Sequence, residues 1–340
     1  RIDLNAKFEE GLGRLGGITA ETPDCSVLFL GDQLTCFLYH VESNEWRALR
    51  LSSEEGLEPS PFCTAHALPD RLLLFGGGGS ADVLQLDYKS LRLTRAGALS
   101  QPRTEHCSVR VDARVYLLGG YNKDTNQFLA DCEAFSVKDG ECRALQPMRS
   151  AKCGFAAAAL PGRIVVAGGF DGAQRLRAVE QYAIAEDRWT LLRVALPLRL
   201  AYHALLPIVD GKLLVLGGSS AEEEYSRSVY QLDPQQETCA RYGHVPEGRD
   251  TRHKVVLHED RLLVFGGGDS PSYAYNYFED KWSELAAVER GAGGDAFDAW
   301  VAVAVANFPR PSARAAQCFA EAEQFGASNL LGFDDSLLSV

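Results

Sequence analysis

The 340-residue sequence has one methionine, four tryptophans and no Cys-x-x-C. Its nine cysteines (25, 36, 63, 107, 132, 142, 153, 239 and 318) are odd in number, and their spacings match no zinc pattern. No metal site and no cofactor is therefore expected. Free thiols suit a reducing compartment, so the expected location is cytoplasmic. No apolar run approaches the roughly 20 residues that span a bilayer, and there is no signal peptide. Positive charge is also scarce. Lys and Arg number 34 against 46 Asp and Glu, a net charge of −12. That argues against nucleic acid and against an anionic membrane, since both attract Lys and Arg. The chain does not begin with Met, as expected of a piece of a longer protein.

Glycine is plentiful instead, with 32 residues, and much of it is periodic. Apolar segments ending in a glycine pair recur as "RLLLFGG", "RVYLLGG", "RIVVAGG", "KLLVLGG" and "RLLVFGG". The pairs are Gly76 and Gly77, Gly119 and Gly120, Gly168 and Gly169, Gly217 and Gly218, and Gly266 and Gly267. The last three intervals are 49 residues each. A weaker copy, "SVLFLGD", puts Gly31 45 residues before Gly76, with Asp32 in place of the second glycine.

A second marker keeps phase with the first. Two large or apolar residues stand seven apart: Tyr39 and Trp46, Leu86 and Leu93, Phe135 and Cys142, Tyr182 and Trp189, Leu232 and Cys239, Tyr275 and Trp282. Turn residues lie between them, so each pair reads as two strands around a short turn, packing between neighbouring units. A third element precedes each glycine strand, as in "HCSVRV" and "GFAAAAL". The unit is four antiparallel strands, A to D, with the glycines ending strand B.

Four strands per unit, six times over, describe an all-β, six-bladed β-propeller. The double glycine after an apolar strand, followed by the pair seven apart, resembles the kelch repeat, and the resemblance covers residues 25–308. The Trp-Asp dipeptide of the other propeller with this period, WD40, is absent. The expected blades are 25–58, 59–100, 101–148, 149–198, 199–248 and 249–290. Blade 1 starts at strand B. The lone strand 299–307, "AWVAVAVAN", is expected to supply its missing strand A and so close the ring.

The ends read differently. Residues 1–24 look like a linker or the end of an upstream helical region, with Leu4, Phe8, Leu12 and Leu15 at helical spacing. The Gly11-x-Gly13-x-x-Gly16 within them has no βαβ context and is not taken as a dinucleotide fingerprint. Residues 309–340 form a tail with a short helix expected over 313–325. Its end either folds back on the propeller or docks elsewhere through Phe333, Leu337 and Leu338.

Function is sought on the D–A loops, which rim the channel if A is innermost. These loops carry Arg103, Arg149, Lys152, Arg199, Arg249 and Arg252. They form either a cup for a protein or acidic peptide, since guanidinium forks suit carboxylates, or braces that bond loop carbonyls. The ring has a gap, because "EPSPFC" before blade 2 has no basic residue. His106, His203 and His253 recur at the start of strand A, with His66 farther along its strand. They are read as bonded to neighbouring blades or as partner contacts. Cys63, Cys107 and Cys153 are read as small buried hydrophobes.

Kelch resemblance implies a non-catalytic interaction module. Such propellers often serve as the substrate-recognition part of a cullin-RING ubiquitin ligase, joined to an upstream BTB domain. Others follow a B-box and coiled coil, or act as cytoskeletal or organellar scaffolds. A galactose-oxidase-like or sugar-active enzyme is the remaining alternative. Its support is the pair Tyr202-His203, which resembles a copper-binding Tyr-His.

Overall fold

The computed structural model describes residues 25–30, 34–54, 56–221, 226–246, 254–258, 261–265, 271–285 and 301–306. Gly31, Arg249, Arg252, His253, Gly266, Gly267, the 1–24 segment and the 309–340 tail lie outside them.

Six antiparallel blades follow the sequence pattern. Blade 2 is Thr64–Ala67, Arg71–Phe75, Asp82–Asp87 and Arg92–Ala98. Blade 3 is Cys107–Val111, Arg114–Asn122, Gln127–Ser136 and Cys142–Leu145. Blade 4 is Ala156–Leu160, Arg163–Ala167, Ala178–Ala183 and Arg188–Ala195. Blade 5 is Ala204–Pro207, Leu213–Leu216, Ser228–Asp233 and Thr238–His244. Blade 6 is Lys254–His258, Arg261–Phe265, Tyr273–Asn276 and Lys281–Glu284.

Blade 1 is made from both ends of this order. Cys25–Leu30, Thr35–His40 and Glu45–Arg50 supply B, C and D. Strand A is Val301–Ala306, antiparallel to Cys25–Leu30 with Leu28 opposite Val303. The late strand closes the ring as expected, and strand A of blade 1 touches those of blades 2 and 6. All six A strands meet their neighbours around one circle, which makes A the innermost strand. Closure pairs both edges that a linear array would expose. One element was not foreseen: Ser52–Ser53 pairs parallel with Arg92–Leu93 and lengthens blade 2 outward.

The seven-residue marker has a local cause. Its two members face each other across the C–D hairpin in every blade. In blades 1, 4 and 6 the first member is a tyrosine that fastens the turn. Tyr39, Tyr182 and Tyr275 donate from their hydroxyls to Asn44, Asp187 and Asp280 at 2.6, 2.7 and 2.8 Å. Those three residues hold φ of 56°, 48° and 51°, a left-handed conformation that Asn and Asp tolerate best. Tyr182 and Trp189 sit 5.1 Å apart by ring centroid, and Tyr275 and Trp282 stack at 4.3 Å.

The core lies between blades. Tyr182 and Trp189 of blade 4 pack with Tyr116, Leu118 and Cys132 of blade 3. Tyr275 of blade 6 packs with Leu214, Leu216 and Val229 of blade 5. Tyr39 of blade 1 packs on Phe265 of blade 6. Leu86 and Leu93 meet blade 1, Phe135 meets blade 2, and Leu232 meets blade 4. Each blade therefore buries the first member of its marker pair against the blade before it, a face that one blade alone would leave wet.

The double glycine serves the same contact. The second glycine's N–H donates across the blade boundary: Gly77 to Arg103 O at 2.9 Å, Gly120 to Lys152 O at 3.0 Å and Gly169 to Leu200 O at 2.8 Å. At the first glycine, a Cβ on Gly168 would stand 2.4 Å from Leu200 O and 2.7 Å from His203 Cε1. With φ of 63° besides, only glycine fits there.

Candidate functional site

Strands in a blade alternate in direction, so the B–C and D–A loops share one face and the A–B and C–D turns share the other. The D–A loops end at the channel, and in blades 2 to 5 the second residue before the inner strand has left-handed backbone. These residues are Phe62 (φ 58°), Glu105 (51°), Gly154 (58°) and Tyr202 (56°). Three of them form a chain of backbone bonds around the mouth. Gly154 N donates to Glu105 O at 3.0 Å, and Tyr202 N donates to Gly154 O at 2.6 Å.

Side chains cross the same gap. The Tyr202 hydroxyl of blade 5 donates to Glu105 Oε2 of blade 3 at 2.7 Å, over the bare Gly154 of blade 4. The Cys153 thiol donates to the same oxygen at 3.1 Å. Burial, then the Glu105 carboxylate, pushes both the Tyr202 phenol and the Cys153 thiol upward in pKa. Neither has the lowered pKa of an activated nucleophile. Cys107 is likewise raised to about 12 by burial, and its thiol donates to Phe155 O at 2.7 Å. Tyr202 and His203 do not form a ligand pair. The phenol is on Glu105, while His203 is packed beneath Gly168. No group of three or more His, Cys, Asp or Glu capable of holding a metal occurs among the described residues.

The D–A cations separate into two kinds. Arg103 and Lys152 are fully buried and unavailable to a partner, which corrects their place in a basic cup. Arg103 Nη1 donates to Gly119 O at 2.9 Å and Asp131 O at 3.2 Å, and its Nη2 donates to Glu133 Oε1 at 2.8 Å. Lys152 Nζ donates to Glu180 Oε1 at 2.5 Å. Both are internal braces tying a D–A loop to strand C, because a buried cation persists only where it is paired. His106 and His203 are also buried, so partner contact through them is corrected too. His106 Nε2 meets Thr64 Oγ1 of the preceding blade at 3.0 Å, and His66 Nε2 meets Ser108 Oγ at 2.7 Å.

Arg149 and Arg199 are exposed. Arg199 Nη1 donates to Gln174 Oε1 at 2.8 Å and to Arg175 O at 3.3 Å, which joins it to the B–C loop of blade 4. That loop adds Arg175, half-buried against Ser219, and exposed Arg177. Sequence reasoning overlooked both, since it considered D–A loops alone; strand alternation was the signal available. It also overlooked Glu105 and Phe62, the latter 52% exposed. The face thus carries a basic patch around blade 4 beside an acid–phenol–thiol cluster at the channel mouth.

Comparison with known proteins adds to this picture. The Kelch motif model matches residues 102–149 and 151–193. Mouse Kelch-like protein 35 is 26% identical over 270 residues, covering 77% of this chain and 43% of its own length. The Kelch repeat and BTB domain-containing protein 2 of cowpox virus (strain Brighton Red) is 26% identical over 156 residues, 45% of this chain and 26% of its own. Alpha-scruin of Limulus polyphemus is 30% identical over 148 residues, 40% of this chain and 16% of its own. The chain spans less than half the length of each of these relatives.

The motif matches fall on blades 3 and 4, the two with a buried cation–carboxylate brace. The carboxylate stands two residues before the marker pair, where the other blades have Phe37, Leu84, Tyr230 and Tyr273. Those blades have no carboxylate there but keep the strands and the pair, so the architecture does not depend on this one position: the chain is a kelch-repeat β-propeller.

Proposed function

We propose that this propeller is a protein-interaction module that captures a protein or acidic peptide on the B–C and D–A face. The observation that carries the reading is the exposed arginine patch at blade 4, Arg149, Arg177 and Arg199, on a chain of net charge −12. Guanidinium groups recognise carboxylates by paired hydrogen bonds, and a local basic field in an acidic molecule selects acidic ligands. The raised pKa values of the channel cysteine and tyrosine speak for binding rather than nucleophilic catalysis. We further propose that the module recognises substrates for a cullin-RING ubiquitin ligase, reached through a BTB domain upstream. Support comes from relatives much longer than this chain, one of which is named for a BTB domain.

The test uses the full-length protein in cells. Proximity labelling identifies partners of the parent and of the triple variant R149E/R177E/R199E. The variant is expected to lose acidic partners while retaining its melting temperature and its cullin. Unchanged partners in a folded variant would overturn the docking face. Absence of a cullin from both samples would overturn the ligase role alone.

A further inference from the structure

Pseudo-symmetry turns the internal brace into a measure of every blade. In blade 3 the brace needs a cation two residues before the left-handed D–A residue. It also needs the first glycine of the pair, and two strand C positions. These are Arg103, Gly119, Asp131 and Glu133. Blade 5 fills the same space with hydrocarbon, because Leu200 and Tyr230 are buried in one cluster. In blade 2 the equivalent residues are Ser60, Gly76, Asp82 and Leu84. A serine stands in the cation's place and a leucine in the carboxylate's.

A cavity of about 270 Å³ lies there, and all four equivalents line it. Glu58 and Ser80 complete its polar wall, and no Lys or Arg lines it. Glu58 is exposed and makes no ion pair among the described residues. Among the described residues the Asp82 carboxylate pairs with exposed Arg95, at 3.2 Å. The volume falls just below the roughly 300–1,000 Å³ of small-molecule sites, a size that suits one side chain. The lining combines the hydroxyls of Ser60 and Ser80 and the carboxylates of Glu58 and Asp82 with the side chains of Leu57, Leu74 and Leu84. Such a lining accepts hydrogen bonds from a cation and packs its methylene stem.

We propose that this slot receives the cationic end of an arginine or lysine side chain from a protein partner, in the space that Arg103 and Lys152 occupy from within in blades 3 and 4. The slot opens beside the D–A loop of blade 2, where the basic ring has its gap. It therefore rests on the reading of this face as the docking face, and adds a second, opposite charge preference to it. A partner meeting both sites presents acidic groups to blade 4 and a basic side chain to blade 2.

The experiment needs no partner. N-acetyl-arginine amide is titrated into the 340-residue propeller, and backbone amide NMR shifts of Gly76, Ser80 and Leu84 are followed. Saturable shifts with a midpoint on the order of millimolar are expected for so small a ligand. The neutral citrulline analogue should leave these amides unmoved. The variant S60R/L84E, which rebuilds the blade 3 brace, should melt no lower than the parent and lose the response. If that variant fails to fold, E58Q/D82N keeps the shape without the charge and should bind at least fivefold more weakly. No saturable shift, an equal citrulline response, or full binding by a folded variant would each overturn the slot. None of these outcomes bears on the blade 4 patch, which R149E/R177E/R199E tests separately.

Discussion

The Tyr202 hydroxyl donates to Glu105 at 2.7 Å although 97 residues separate them in sequence. The bond joins blades 3 and 5 directly, because the blade between them offers only Gly154 at that height. A Cβ on Gly154 would lie 2.9 Å from Tyr202 Cε1, and its φ of 58° disfavours any side chain. Gly154→Ala is therefore expected to cost about 1–3 kcal/mol from backbone strain and to displace the ring as well. Adding Tyr202→Ala should recover the ring's share and leave the backbone cost. Urea denaturation of the single and double variants reads both; additive losses would show that ring and glycine are not in contact.

The Arg103–Glu133 pair gives a sharper contrast. Both groups are almost wholly buried, so removing one leaves the other charged, or forced to neutralise, in a low dielectric. Arg103→Met alone, or Glu133→Leu alone, should cost about 3–5 kcal/mol. The double variant should recover most of that loss, because blade 5 shows the same space packed with Leu200 and Tyr230. A double-mutant cycle by chemical denaturation measures the coupling. A double variant as unstable as the sum of the singles would mean that the guanidinium bonds to Gly119 O and Asp131 O matter more than the ion pair.

These pairs also show what sequence can convey. The blades, their order and the closing strand were legible, because the glycine pair recurs five times and the seven-residue marker six times, in phase. The arginines were visible too, but their fates were not. Arg103 and Arg199 both stand in D–A loops, yet one is buried and the other exposed. The difference depends on Glu133, 30 residues away in another strand, and on Leu200 taking the cation's position in blade 5. Glu105 and Tyr202 passed unnoticed as a pair, because nothing local marks two residues brought together over a channel.

Acid should weaken the fold through the inner histidines. Burial, followed by Arg103 and then His66, lowers the pKa of His106 to about 3; burial, followed by Arg110, lowers that of His66 to about 4. Both ordinarily titrate near 6.5, so the unfolded chain takes up protons first as pH falls. Their contribution is fully present above pH 6.5 and is lost progressively down to the folded values. Carboxylates contribute to acid loss mostly below pH 5, which leaves pH 7 to 5 as the window for the histidines. Denaturation midpoints across that window should fall for the parent and fall less for His66→Asn/His106→Asn. Parallel slopes would mean that the histidines are charged in the folded state or exposed to water.

Ring closure carries the last prediction. Strand A of blade 1 is covalently remote from the rest of its blade, and its ladder with Cys25–Leu30 runs from Val301 opposite Leu30 to Ala306 opposite Cys25. Without it, blade 1 exposes the edge of Cys25–Leu30, and the A strands of blades 2 and 6 lose their shared neighbour. A propeller opened at one blade becomes a linear array, whose cooperativity rests on nearest-neighbour contacts alone. Deleting residues 299–340 should therefore replace one sharp thermal transition with a broad one at lower temperature. The variant V303P/A304P, which removes a backbone donor from the ladder because alternate residues of an antiparallel strand donate into it, keeps the chain length and should act in the same direction. Adding the 299–307 peptide in trans should restore part of the lost transition in the truncated protein. A truncated protein that melts as sharply and as high as the parent would show that the ring does not depend on this strand.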